Sequence, residues 1–160
     1  VTNPTLAALF DKRLEAISRE RSKKDARDAR ERHAFHGAHP SKLQSICDTG
    51  LLPFGHHLNP SPEPVDDGFF GSCRKGVYLS RYADYTLKYA NRGVPLRAGQ
   101  TCRVVLFRCV PGCSKHIEEL SVGIDPAPGF DSHSSPQFCE WFLFHPDQCC
   151  PTHILTIEAR

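Results

Sequence analysis

The stretch Lys75-Gly76-Val77-Tyr78-Leu79-Ser80-Arg81-Tyr82-Ala83-Asp84-Tyr85-Thr86-Leu87-Lys88-Tyr89 decides how this chain reads. Lys75-Gly76 is a tight-turn signal, and Val77-Tyr78-Leu79 is β-prone. Beyond it Tyr82, Tyr85 and Tyr89 fall at spacings of three and four, the period of a helix. All four tyrosines of the protein lie in this stretch. A tyrosine offers a flat apolar face and a polar tip. Two of them on a strand–helix scaffold make a slot for a flat aromatic ligand. Tyr82 and Tyr85 fit equally well as the packing face of the helix.

Composition bounds the rest. A chain of 160 residues makes one domain, 1–160, with room for a core. Within it, residues 1–32 read as an N-terminal helix and a charged connector. A net charge of +2 gives no electrostatic case for nucleic acid or a membrane surface. There is no run of 18 apolar residues and no signal peptide. The absence of Met suggests a piece of a longer protein with other domains. The eight cysteines form no CxxC pair. Without a secretory signal they read as free thiols in an intracellular compartment, cytoplasmic or nuclear. Cys109, Cys113 and His116 have a loosely ligand-like spacing, but structural zinc takes four ligands and no fourth is evident, so no metal is expected.

Asn3-Pro4 is a helix start, and Leu6, Leu9, Phe10, Leu14 and Ile17 follow at helical spacing, predicting a core-facing stripe. From Arg19 to Arg32 the pattern gives way to charge of both signs, a solvated face. His33 to Gly37 reads as a short strand. Pro40 to Asp48 reads as a helix stopped by Gly50. Phe54 to Gly71 is a long loop, a kind of segment that is usually functional or mobile. Thr101 to Val110 carries the apolar run of a buried strand, and Ser114 to Ser135 reads as loop. Phe138 to Phe144 and Thr152 to Ile157 complete the strands.

Glu140 is the anomaly. It shares a strand face with Phe142 and Phe144, where a carboxylate is costly unless paired or functional. A strand end reaching solvent, or an Arg partner, would also account for it. His36 before Gly37 is the second candidate, because glycine lets a ligand approach the backbone closely. GxGxxG, GxxxxGK[ST], HExxH and GxSxG are all missing.

Taken in order, Val1 to Pro4, Arg32 to Gly37, Leu43 to Leu51, Gly71 to Ser80, Gly129 to Ser132 and Glu140 to Gln148 resemble the catalytic domain of the poly(ADP-ribose) polymerase-like (PARP-like), diphtheria-toxin-like ADP-ribosyltransferases. The likeness runs nearly end to end. It implies an α+β fold of two packed, mainly antiparallel sheets with flanking helices and an NAD cleft between them. The family's His-Tyr-Glu triad falls on His36, Tyr78 and Glu140. The resemblance assigns NAD as cosubstrate, His36 to the adenosine ribose, the Gly37 backbone and Thr86 hydroxyl to the carboxamide, and Tyr78 and Tyr89 to the two faces of the nicotinamide. Phe54 to Gly71 would be the donor loop, and Lys115 to Ser135 the acceptor-side loop. Ala38, Arg74-Lys75 and Leu79-Ser80 depart from the family's usual residues.

The expected activity is therefore transfer of ADP-ribose from NAD to a protein acceptor or to the chain itself, as single units, with chain elongation left open because the acceptor-side loop decides it. A carboxylate gripping the ribose would stabilise the positive charge that develops as nicotinamide leaves. The alternative is a catalytically inactive PARP-like pseudoenzyme that binds protein, NAD or ADP-ribose. Retention of all three triad residues favours the enzyme.

Overall fold

The computed structural model describes residues 1–21, 30–59 and 68–160. The middle of the charged connector and residues 60–67 of the expected donor loop lie outside the described residues.

Helix α1 (Pro4–Arg21) begins where Asn3 caps it: the Leu6 amide donates to Asn3 Oδ1 at 3.2 Å. The Asn3 amide also donates to the carbonyls of Cys47 and Asp48, at the end of helix α2 (Leu43–Thr49). One side chain thus ties two helix ends together. Phe10 and Ile17 are buried against Val110 and Cys150, with Leu6 and Leu14 alongside. Leu9 departs from the expected stripe and is 40% exposed. At a period of 3.6 residues it sits on the flank of the Phe10–Ile17 face.

Seven strands follow: β1 (Arg32–Gly37), β2 (Val77–Ser80), β3 (Thr101–Cys109), β4 (Ser114–His116), β5 (Ser132–Ser134), β6 (Glu140–Leu143) and β7 (Cys149–Glu158). Helix α3 (Ala83–Ala90) joins β2 to β3. The spatial order is β4-β5-β6-β2-β1-β3-β7, antiparallel except for the β4–β5 pair. This is the α+β class expected, with a refinement. The two sheets are halves of one ladder. β1-β3-β7 and β2-β6-β5-β4 meet through the single register pair Phe35↔Ser80.

The cores follow the two-residue period of the strands. Val77, Leu79, Trp141 and Leu143 join Ala34, Val105, Phe107 and the helix α2 residues Leu43 and Ile46. Tyr78 pairs with Phe142, and Ser80 with Glu140, on the alternate positions. Tyr78 and Phe142 pack with Phe70 and Ile117 in a second cluster.

All eight cysteines are free thiols. Cys109 and Cys149 face each other across β3 and β7, and burial pushes the Cys109 thiol up to about 12. Such thiols pack as small hydrophobes rather than as nucleophiles. Among the described residues no three His, Cys, Asp or Glu side chains gather to hold a metal ion. No described helix is long and apolar enough to cross a membrane.

Gly37 holds α3 against β1. A Cβ at this position would land on the Thr86 carbonyl oxygen, which is backbone and cannot swing away. Gly37→Ala should therefore destabilise the domain by about 1–3 kcal/mol, as overpacked sites do, read as a lower urea midpoint with unchanged slope.

Candidate functional site

The seam between the sheet halves is where the candidate residues meet. Beyond Phe35↔Ser80 the antiparallel ladder stops, and the His36 imidazole takes its place. His36 Nδ1 donates to the Tyr78 carbonyl at 3.0 Å. Burial holds the His36 pKa below the ordinary histidine value, although this hydrogen bond pulls the other way. The ring is therefore neutral at pH 7, with Nδ1 as donor and Nε2 as acceptor.

His36, Gly37, Tyr78, Thr86, Tyr89 and Glu140 all line one cavity of about 700 Å³. Its volume is that of a small-molecule site. Phe35, Ile46, Leu51, Phe54, Phe69 and Phe70 contribute apolar wall, and His39, Lys42 and Arg92 the basic groups. Those three were not legible as site residues. Arg92 Nη2 lies 2.7 Å from His39 Nε2, so a contact across 53 residues makes the basic corner.

The Tyr78 and Thr86 hydroxyls are engaged inside the protein. The Tyr78 hydroxyl donates to the Gly71 carbonyl at 2.6 Å and accepts from the Phe70 amide at 3.3 Å. Its ring meets Phe70 edge-on and Phe142 at a tilt. The Thr86 hydroxyl donates to the Ala83 carbonyl at 2.6 Å, one turn back in its own helix. Tyr89 pairs with the Tyr85 ring at 6.3 Å, and Lys88 Nζ sits over both rings. The glycine at 37 is accounted for by the α3 backbone rather than by the approach of a ligand.

Glu140 is half-buried, and its Oε2 accepts from the Tyr85 hydroxyl at 2.9 Å. Desolvation first, and then the charge of Glu140, raise the Tyr85 pKa well above the ordinary phenol value, so Tyr85 stays a neutral donor. The carboxylate that looked anomalous in an apolar strand thus has a phenolic partner 55 residues away in sequence. Tyr85 had two possible readings from its spacing, and this bond supplies a third. Tyr82, expected on the packing face, is 54% exposed.

Other motif positions hold loops. Asp131 Oδ2 accepts from the Cys113 amide at 2.8 Å. The Gln148 side chain is fully buried between the Val110 carbonyl and the His145 amide. The expected acceptor-side loop includes β4 and β5 at its ends, and buried His133 donates from Nδ1 to the Phe70 carbonyl at 2.7 Å. His133 Nε2 accepts from the Ala127 amide at 3.2 Å, which fixes a neutral tautomer.

No family model matches the chain. It is 35% identical over 116 residues to protein TASOR of Mus musculus, and 34% identical over 116 residues to protein TASOR of Homo sapiens. Each alignment covers 66% of this chain and 6% of the relative's length. The crystal structure of the TASOR pseudo-PARP domain superposes with a TM-score of 0.75 at 23% identity, covering 98% of this chain and 79% of that one. The PARP-like fold is thus established. The expectation of an active NAD ADP-ribosyltransferase is overturned by this likeness, because the TASOR domain on which the chain superposes is a pseudo-PARP. The three triad residue types do not discriminate enzyme from pseudoenzyme, since each has an internal structural partner here.

The two buried histidines set a pH dependence. Burial lowers both pKa values relative to the unfolded chain. Below about pH 6.5 the unfolded state binds more protons than the folded one, so stability present above that pH falls as pH drops toward the folded pKa values. Each histidine can contribute at most about 1.4 kcal/mol per pH unit to this loss. Urea titrations between about pH 7.5 and 5 should show this slope, and His36→Gln should reduce it.

Proposed function

We propose that this chain is a catalytically inactive PARP-fold module that serves a longer protein by binding other protein. The observation that carries the reading is the Tyr85–Glu140 hydrogen bond. Charge stabilisation in nicotinamide loss requires a carboxylate aimed at the sugar in a dry site. Here one Glu140 carboxylate oxygen is held by the Tyr85 phenol. The similarity to a pseudo-PARP domain supports the same reading. So does the short matching stretch in much longer relatives, which fits a module within a multidomain chain. NAD recognition has little support, because the Tyr78 and Thr86 hydroxyls are already donated to backbone carbonyls.

Nicotinamide release from labelled NAD tests this directly. The wild type and Glu140→Ala should both run at background, whereas a working electrostatic stabiliser would make the substitution cost about a hundredfold or more. NAD at about 1 mM should leave the melting temperature unchanged, since only a ligand held tighter than its own concentration stabilises appreciably. Glu140-dependent nicotinamide release would sink the proposal.

A further inference from the structure

The turn between β5 and β6 carries a feature that the cleft does not use. Phe138 has φ of 56°, in the left-handed region. A bulky residue rarely adopts this conformation, and such outliers gather at functional positions. The turn is held in this form by its own bonds. The Phe138 amide donates to the Ser135 carbonyl at 2.9 Å, and the Ser135 hydroxyl oxygen accepts from the amides of Cys139 and Glu140. The strained backbone does not bury the ring, which is 49% exposed. A glycine would fit this turn at less cost, so folding does not explain the phenylalanine.

The exposed ring belongs to a stack. The His116 imidazole lies flat on it, with centroids 4.2 Å apart and planes 7° from parallel. The Arg81 guanidinium lies 5.9 Å from the Phe138 centroid and 4.1 Å above Trp141. Arg81 makes no ion pair among the described residues, and its Nε is buried without a hydrogen-bond partner. The charged and titratable groups felt by Arg81 are Tyr82, Arg32, Cys139 and Cys109, with no carboxylate among them. Glu140, on the strand beside it, gives Oε2 to Tyr85. Aromatic rings around an arginine are the composition of interface hot spots, and a guanidinium without an acid matches a carboxylate through paired N–H donors.

We propose that Arg81, Phe138 and His116, with the buried Trp141 beneath the guanidinium, form a docking site for an acidic peptide segment of a partner protein, a carboxylate bonding to Arg81 and an adjacent apolar side chain packing on Phe138. The proposal rests on the interaction-module reading and gives that module a partner chemistry. The stack holds one permanent cation, and tracking a nucleic-acid backbone takes several.

Trp141 is the protein's single tryptophan, so its emission reports on this site. A short synthetic peptide alternating Glu and Leu should change Trp141 emission saturably, and the same peptide with Lys in place of Glu should not. Arg81→Gln should weaken binding about tenfold or more, the scale of a hot-spot residue. Phe138→Gly should also weaken binding about tenfold while keeping or raising the melting temperature, because it relieves the left-handed backbone. That pairing separates lost contact from lost fold. Equal response to the Lys peptide or to oligothymidylate, or wild-type affinity in Phe138→Gly, would overturn the proposal. Nicotinamide release measured on the same variants keeps the two readings apart: loss of peptide binding leaves it at background, and turnover would contradict the inactive module whatever the peptide does.

Discussion

The His36–Tyr78 hydrogen bond is the constraint on which the rest of this structure depends. Two strand groups that could stand as separate sheets are joined by one register pair, Phe35↔Ser80. Where the ladder stops, the Tyr78 carbonyl needs a donor, since a buried backbone group left unpaired costs as much as a lost hydrogen bond. The imidazole supplies it from across the gap. Because the sheet parts there, a cavity opens along the seam. Because β1 ends in Gly37, α3 can lie directly on the strand and bring Thr86 and Tyr89 to the cavity wall. The cavity therefore follows from the architecture, and its existence says little about what fills it.

That distinction explains why residue identities misled about activity. His36, Tyr78 and Glu140 line one cavity, yet each also meets a structural demand. His36 closes the seam, Tyr78 fastens Phe70 and Gly71, and Glu140 pairs with Tyr85. Asp131 and Gln148 behave the same way, bonding backbone amides and carbonyls that loops would otherwise leave unpaired. A motif that supports a fold can be retained whether or not the reaction is. The three residues thus identify the architecture, while the reaction depends on where their polar atoms point.

Much of the fold was legible because its signals are local. The Asn3-Pro4 cap, the apolar run of β3, and the Gly50 stop after α2, with its φ of 81°, each lie within a few residues of what they specify. Strands β4 and β5 were not legible. Ser114–His116 and Ser132–Ser134 are polar sequences, and only their pairing with each other and β6 makes them strands. β7 begins at Cys149 rather than Thr152. A bulge at Leu106/Phe107 lets Pro151 sit opposite Phe107, so a residue that usually ends strands lies inside one. The candidate site divides in the same way. Its six residues could be named through the family resemblance, but the Tyr85–Glu140 bond and the His39–Arg92 corner join residues more than 50 positions apart and leave no local trace.

A recognition surface draws specificity from polar groups that the folded protein leaves available. By that criterion the cleft and the β5–β6 turn differ. In the cleft the Tyr78 and Thr86 hydroxyls and His36 Nδ1 donate to backbone carbonyls, and much of the wall is apolar. At the turn a guanidinium rests on Trp141 with a buried Nε unmet, beside a phenylalanine held outward by a backbone conformation that costs free energy. An arginine over an indole is already ordered, so a carboxylate binding it loses little side-chain entropy. In this fold the cavity follows from the way the sheet divides, and the exposed aromatic stack beside Arg81 lies outside it.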